Sequence, residues 1–258
     1  MIQNEALSPY LDPLGLGAWR YLSVVSSTND VAREWAVAGA PDWALVVADA
    51  QTAGRGRGER RWLTEPGGAL AFSLVLRPTP AEANCFPRFT ALAALGLIRA
   101  LSGLGLAAQI KWPNDVLLAG CKVAGVLVEA DWQAARVEAV VIGLGGNVSP
   151  GSVPPADTLR YPAAAVEVAL GVEVDRWALL AATLAAMRDY RAILMQDALV
   201  DAWNANLAMR GTWVRFQVDD AAPQVVRLLG VNPDGQLELV NQDGTLQQVL
   251  SGEILMDR

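Results

Sequence analysis

No histidine occurs in this sequence. Its absence excludes the serine–histidine–aspartate and cysteine–histidine nucleophile schemes, and zinc chemistry of the HExxH kind. Any reaction must proceed by positioning, by arginine and lysine electrostatics, or through a carboxylate. Cysteine is nearly as scarce: Cys85 and Cys121 make neither a disulfide framework nor a zinc site. Reduced thiols fit a cytoplasmic protein, and Cys121, with no histidine to activate it, reads as a bystander. Basic residues number 20 against 27 acidic ones, giving a net charge of −7. A nucleic-acid binder is expected to carry a broad basic face instead. The N-terminal MIQNEALSPYLDP lacks a basic stretch followed by an apolar core, so no secretory signal is visible. Long apolar runs are missing too. The most apolar segment, residues 91–108, is broken by Arg99, Gly103 and Gly105, and reads as a buried helix, not a membrane span.

What is present describes a well-packed globular protein. Of 258 residues, 53% are hydrophobic and 18% charged, enough for one large domain or a main domain plus a small one. Strands are expected over 20–25, 43–48 and 69–76, and helices from residue 31 and over 84–104. An antiparallel run follows over 109–112, 116–118, 122–130 and 137–142, the last strand emptying into Gly143-Leu144-Gly145-Gly146-Asn147. Residues 149–162 read as a loop, and 163–170 and 177–194 as helices, the second apolar almost all round and hence buried. From about residue 206 the pattern changes to short strands over 212–218, 225–231, 236–240 and 246–250, separated by turn signals. The reading is an α+β chain: a catalytic-type domain over 1–205 with a largely antiparallel sheet and helices packed on it, then a small β-barrel over 206–258.

The segment QTAGRGRGERRW at 51–62 places four arginines and three glycines within eight positions of an acidic protein. Glycines let backbone N–H groups approach a ligand, and guanidinium forks bind phosphate or carboxylate oxygens in pairs. The loop thus suits an anionic small molecule, although a solvated basic loop has the same composition. It is not a P-loop, and GLGGN is not a dinucleotide fingerprint. Lys111, Asn114 and Asp115 fall within KWPND, and Lys122 returns on the next strand beside Asn114 and Asp115. A lysine with an Asn/Asp pair suits triphosphate and Mg²⁺, while Pro-Asn-Asp alone is ordinary turn chemistry. Ser26, Ser27, Thr28 and Asn29 stand at a helix start, suited either to capping or to a neutral polar group such as a urea. Gln51 could join them, and Trp62 could form an apolar wall or belong to the core.

Taken in order, SSTND at 26–30, QTAGRGRGERRW, PGGALAFS at 66–73, KWPND at 111–115, KVAGVLVE at 122–129 and VIGLGGNV at 141–148 resemble the biotin protein ligases. The ending Ser251-Gly252-Glu253-Ile254 is similar to that family as well. The resemblance implies an SH3-like C-terminal barrel. It also implies an enzyme that makes biotinyl-5′-AMP from biotin and MgATP, then passes biotin to a lysine of a biotin carboxyl carrier protein. By the same resemblance, Ser27, Thr28, Asn29, Gln51 and the backbone of Arg55 contact the ureido ring. Gly54, Gly56, Arg57 and Arg60 belong to a loop, expected to order over the ligand, that shields and binds the adenylate, with Arg55, Arg57 and Lys122 as the catalytic cations. Trp62 orders the adenine side, Lys111 and Asn114 belong to the ATP region, and Asp115 is the Mg²⁺ candidate. Gly125, Gly145 and Gly146 leave room for biotin's tail, and Asn147 serves the ribose–phosphate side.

Two departures are visible. Gly58 and Glu59 stand where the family has x-Gly, so Glu59 either weakens pyrophosphate binding or pairs with Arg60 or Arg61. Ala69 replaces an asparagine. Only 25 residues precede Ser26, fewer than the roughly 50 of a DNA-binding domain, so a ligase that is not a repressor is expected. A homodimer is possible, and neither nucleic acid nor membrane is expected as a partner. Lipoate or octanoate ligases share the fold and are the rival enzyme class. A non-catalytic biotin-binding regulator is the rival outside it.

Overall fold

The computed structural model describes residues 5–58, 60–62, 64, 66–133, 136–219 and 221–256. Seven strands form one sheet: β1 (Ala18–Val25), β2 (Ala44–Gln51), β3 (Ala69–Leu76), β4 (Ala108–Lys111), β5 (Asp115–Leu118), β6 (Cys121–Gln133) and β7 (Arg136–Asn147). Their order is β1–β2–β3–β7–β6–β5–β4. β1 and β2 run parallel, as a strand–helix–strand connection through α2 (Thr28–Val37) requires. Every other neighbouring pair is antiparallel.

Strand periodicity divides the core between the two faces of this sheet. On one face Leu70, Phe72, Leu74 and Leu76 join Val140, Ile142 and Leu144 in the main core, with α4 (Phe86–Gly103) and α6 (Arg176–Ala192) packed over them. On the other, Val46, Val75 and Val141 meet Ala32 and Ala36 of α2 in a smaller cluster. All eight residues of β3 are buried, because its two edges are paired and both its faces are covered. Ser73 is the one polar residue among them.

Shorter helices complete the chain: α1 (Ser8–Leu11), α3 (Pro80–Ala83), α5 (Val166–Leu170) and α7 (Asp197–Ala205). A second, antiparallel sheet follows, built from β8 (Trp213–Gln217), β9 (Gln224–Val231), β10 (Leu237–Val240), β11 (Leu246–Val249) and β12 (Glu253–Leu255) in the order β11–β10–β9–β8–β12. Its inner residues Phe216, Leu228 and Leu237 join the main core. The Trp112 and Phe216 rings lie 6.2 Å apart, so the bend between β4 and β5 rests directly on the second sheet. Buried Arg88 of α4 ties the two parts further, donating to Pro233 O at 2.8 and 2.9 Å and to Leu194 O at 2.9 Å. Among the described residues no helix is long and apolar enough to cross a membrane.

Four expectations need correction. The strand expected over 137–142 does not end there: GLGGN completes β7, paired with β3 on one side and β6 on the other. The helix expected over 163–170 shrinks to α5, because 163 and 164 are drawn toward the Lys122 backbone. α6 is not buried all round; it buries Leu180, Leu184 and Met187 and exposes much of the rest, since alanine tolerates either setting. α1, α3, α7 and β12 lie where the sequence pattern predicts no element.

Candidate active site

The site lies on the α2 face of the large sheet, beyond the start of α2. Ser27 is the N-cap residue of α2, yet its side chain makes no capping bond. The capping acceptor comes instead from the end of β2: Gln51 Oε1 accepts from the Thr28 backbone N–H at 2.8 Å and lies 3.1 Å from the Thr28 hydroxyl. Gln51 Nε2 donates to Thr64 Oγ1 at 3.1 Å. Asn29 is held at both ends of its amide. Ser73 donates to its Oδ1 at 2.6 Å, and its Nδ2 donates to Glu129 Oε2 at 2.8 Å. Thr28, Asn29 and Gln51 are thereby fixed in position by partners on β3, β6 and the arginine loop.

Glycines make the floor. Gly125 and Gly145 are paired across β6 and β7, and Gly143 lies on the same face as Gly145. A Cβ on Gly143 would stand 2.1 Å from Asn29 Oδ1, and one on Gly145 would stand 2.4 Å from Cε2 of Trp62. Bare backbone is what allows the amide and the indole to lie there. Trp62 therefore covers Gly145, and the space above Gly145 is filled by its ring in this structure. Gly146 points the other way, toward Leu70 and Ala124 of the main core, because successive strand residues alternate faces.

The cationic end stands beside this floor. Lys122 Nζ lies 2.6 Å from Asp115 Oδ1 and 5.6 Å from the Trp62 ring. The β5–β6 turn thus brings Lys122 back to Asp115 as the sequence spacing suggests. Asn114 donates its side-chain amide to Val126 O, which pins the bend to β6. The arginine loop closes on itself: Gly56 N–H donates to Arg60 O, and Trp62 N–H to Gly54 O. Three of its four guanidiniums have acceptors. Arg55 lies on Asp30 and Glu129, at 2.7 and 2.8 Å, Arg57 donates to Gly252 O at 3.1 Å, and Arg60 to Glu253 at 2.7 Å. Glu59, expected either to weaken pyrophosphate binding or to pair with Arg60 or Arg61, lies outside the described residues.

One cleft collects Ser27, Thr28, Asn29, Gln51, Arg55, Gly56, Arg57, Arg60, Trp62, Asn114, Asp115, Lys122, Gly125 and Gly145. A second, continuous with it through Arg57, Arg60, Asn114 and Asp115, adds Lys111, Arg160 and Glu253. Gly54, Gly146 and Asn147 line neither; Asn147 is buried and donates to Ala164 O. Burial lowers the Lys111 amine, against the pull of Asp115 and Glu253. Burial would raise the Glu253 carboxyl, but Arg60, Lys111 and Arg160 outweigh it and hold it low. Among the described residues there is no cluster of three or more candidate metal-ligating side chains.

Residue reading passed over Ser73, Glu129, Gly143 and Glu253. Ser73 had a signal: a lone hydroxyl in an otherwise apolar strand must find partners once buried. Glu129 and Glu253 had none beyond their charge, since their roles depend on segments far away in sequence.

A model of the biotin/lipoate A/B protein ligase family matches residues 21–147. The chain is 34% identical over 240 residues to the bifunctional ligase/repressor BirA of Bacillus spizizenii, covering 91% of this chain and 72% of that one. It is 43% identical over 146 residues to a biotin–[acetyl-CoA-carboxylase] ligase of Paracoccus denitrificans, covering 52% of this chain and 60% of that one. Among solved structures, the biotin protein ligase of Aquifex aeolicus in complex with biotin and ATP superimposes with a TM-score of 0.78 at 25% identity, over 93% of this chain and 99% of that one.

Proposed function

The chain belongs to the biotin/lipoate A/B protein ligase family, and we propose on that footing that it is an ATP-dependent biotin protein ligase. The observation that carries this reading is the meeting, in one cleft, of a fixed neutral polar end with a cationic end. Thr28, Asn29 and Gln51 suit the ureido ring, with Ser27 beside them. Lys122 and Arg57 suit the carboxylate and the α-phosphate.

The reaction follows from that layout. A carboxylate oxygen of biotin attacks the α-phosphorus of ATP, the α–β bond breaks, and pyrophosphate leaves. The amine of a carrier lysine then attacks the acyl carbon and AMP departs. Lys122 neutralises charge gathering between carboxylate and phosphate, which is catalysis by preorganised electrostatics, and needs no enzyme nucleophile. Holding both reactants in one cleft supplies proximity. Arg55, tied to Asp30 and Glu129, anchors the loop over the acid. Arg57 and Arg60 take the phosphate side, with Lys111 and Asn114. Trp62 rises from Gly145 to flank the ligand when the tail of biotin takes its place.

Mg²⁺ enters with the nucleotide. Among the described residues Asp115 is the one acidic side chain that lines both clefts, and beside two lysines it suits an ion already carried by phosphates, as Mg²⁺ usually is. Bound there, the ion would neutralise phosphate oxygens. The same reading makes the protein cytoplasmic, with a biotin carboxyl carrier domain as its partner, and divides it into a catalytic domain over 1–205 and a C-terminal module over 206–258. Association into a homodimer belongs to it too. The net charge of −7 supports leaving nucleic acid out.

ATP–pyrophosphate exchange with biotin, lipoate and octanoate tests the reading. Exchange dependent on biotin alone is expected. Exchange driven by lipoate or octanoate would move the protein to a neighbouring branch, and none with any acid would leave a binding module.

A further inference from the structure

Glu253, on β12, is where cations from three separate segments converge. Its Oε2 accepts from Arg60 of the arginine loop and from Arg160, each at 2.7 Å. Its Oε1 lies 3.9 Å from Lys111 Nζ, at the end of β4. Arg57 reaches the neighbouring Gly252 O at 3.1 Å. The lysine is 3% exposed and the glutamate 15%, so both are largely withdrawn from water. Glu253 Oε1 and the Tyr161 hydroxyl are buried there without a hydrogen bond of good geometry. The Lys111 ammonium faces the Tyr161 ring at 4.7 Å. Among the described residues, Asp219, at the side of the same cleft, is the other acid there besides Asp115, which Lys122 holds.

We propose that this is a polyphosphate site whose anion position is filled by the chain's own Glu253 carboxylate, and that Arg160 is a binding residue for the pyrophosphate leaving group. The second half rests on the ligase reading; the anion site does not. Two guanidiniums converging on a single oxygen is the arrangement a phosphate oxygen takes. A carboxylate satisfies it poorly. It carries one negative charge against Arg57, Arg60, Arg160 and Lys111, and apart from the neighbouring Tyr161 hydroxyl its second oxygen has only Lys111, at 3.9 Å. A pyrophosphate brings more oxygens and more charge, and engages the lysine and both guanidiniums together. The cleft continues from Lys122 and Asp115, so a nucleotide with its α-phosphate at Lys122 directs its remaining phosphates here. Arrival of phosphate frees Glu253 from Arg60 and Arg160, exchanging a tie between β12 and the arginine loop for a tie between both arginines and the ligand.

Calorimetric titration of the full chain with inorganic pyrophosphate tests this without requiring turnover, alongside biotin-dependent exchange. Glu253→Gln should bind pyrophosphate about tenfold more tightly than the unaltered protein, because the internal competitor is gone, and Arg160→Ala about tenfold more weakly. Glu253→Asp, too short to span both guanidiniums, should shift in the direction of Glu253→Gln and covers the case in which that variant does not fold. Arg160 is 52% exposed, so its removal leaves the core intact. In exchange, Arg160→Ala should raise KM for ATP and leave KM for biotin unchanged. Equal pyrophosphate affinity in Arg160→Ala and the unaltered protein would overturn the assignment of Arg160. Weaker binding in both Glu253 variants would overturn the internal-competitor role. Pyrophosphate affinities that follow the proposal, in a protein that exchanges with no acid, would sink the ligase reading and leave the anion site standing.

Discussion

Lys122 and Asp115 face each other at 2.6 Å across the β5–β6 turn, and the lysine amine would stand 3.4 Å from a Cβ on Gly125, in the glycine floor on which Trp62 rests. The pair is a held charge, ready to be shared with an incoming anion.

Replacing Lys122 by alanine should therefore slow biotin-dependent ATP–pyrophosphate exchange by about 10²–10³-fold, the usual cost of losing one preorganised charge donor. Stabilisation of the fold by biotin alone should persist, because the ureido end does not involve this lysine. Exchange kinetics and thermal unfolding with and without biotin decide it; intact turnover would refute the charge assignment.

Gly143→Ala should act on the acid and spare the nucleotide. Its new methyl would stand 2.1 Å from Asn29 Oδ1 and push the amide off Ser73 and Glu129. Expected are a KM for biotin raised about tenfold or more, and a stability loss of about 1–3 kcal/mol from overpacking. An unchanged KM for biotin would show that Asn29 does not read the ligand.

Arg88→Ala should loosen the second sheet. Its buried guanidinium serves the Pro233 and Leu194 carbonyls, and removing it leaves both without their donor beside a cavity. A loss of about 2–4 kcal/mol is expected. Denaturant unfolding, with limited proteolysis of β8–β12 as the local readout, measures it.

Acid should destabilise the fold in a window set by two glutamates. For Glu82, burial opposes ionisation, but hydrogen bonds from Arg191 and Thr79 prevail and lower its pKa; Glu253 is lowered against its burial by Arg60, Lys111 and Arg160. A carboxylate lower in the folded than in the unfolded chain stabilises above the unfolded value and loses that contribution as pH falls. Unfolding free energy should stay level from neutrality toward pH 5.5 and decline below the ordinary glutamate value of 4.5. Glu82→Gln should flatten part of that decline in urea titrations at stepped pH.

Much of the fold is legible in local pattern. The apolar block at 69–76 is a fully buried strand, and PND at 113–115 with AG at 119–120 does fold a three-strand meander. The strand order is not legible, because β3 pairs with β7 across some seventy residues and no local signal carries that distance. α7 escapes notice because DALVDAWNA is only nine residues long, too short for its apolar period to stand out. The site divides the same way. Motif residues such as Gln51 and Lys122 declare themselves by type and spacing. Glu129, Glu253 and Arg160 acquire meaning only when folding sets them against arginines far along the chain. Gly146 lies away from the cleft for a simpler reason: in a strand, its neighbour Gly145 faces the cleft and it cannot.

A sheet commonly meets a small molecule with side chains, and those can be trimmed or lengthened as the molecule requires. At 125, 143 and 145 this sheet presents peptide planes alone. Nothing further can be carved from such a surface, so every substitution there makes the chamber smaller. Enlarging it, for an acid longer or bulkier than the native one, must come from the side chains around that floor, Leu127 beside it and Trp62 opposite. The glycine strip works as a fixed gauge, and diversification of the acid accepted is left to the side chains that surround it.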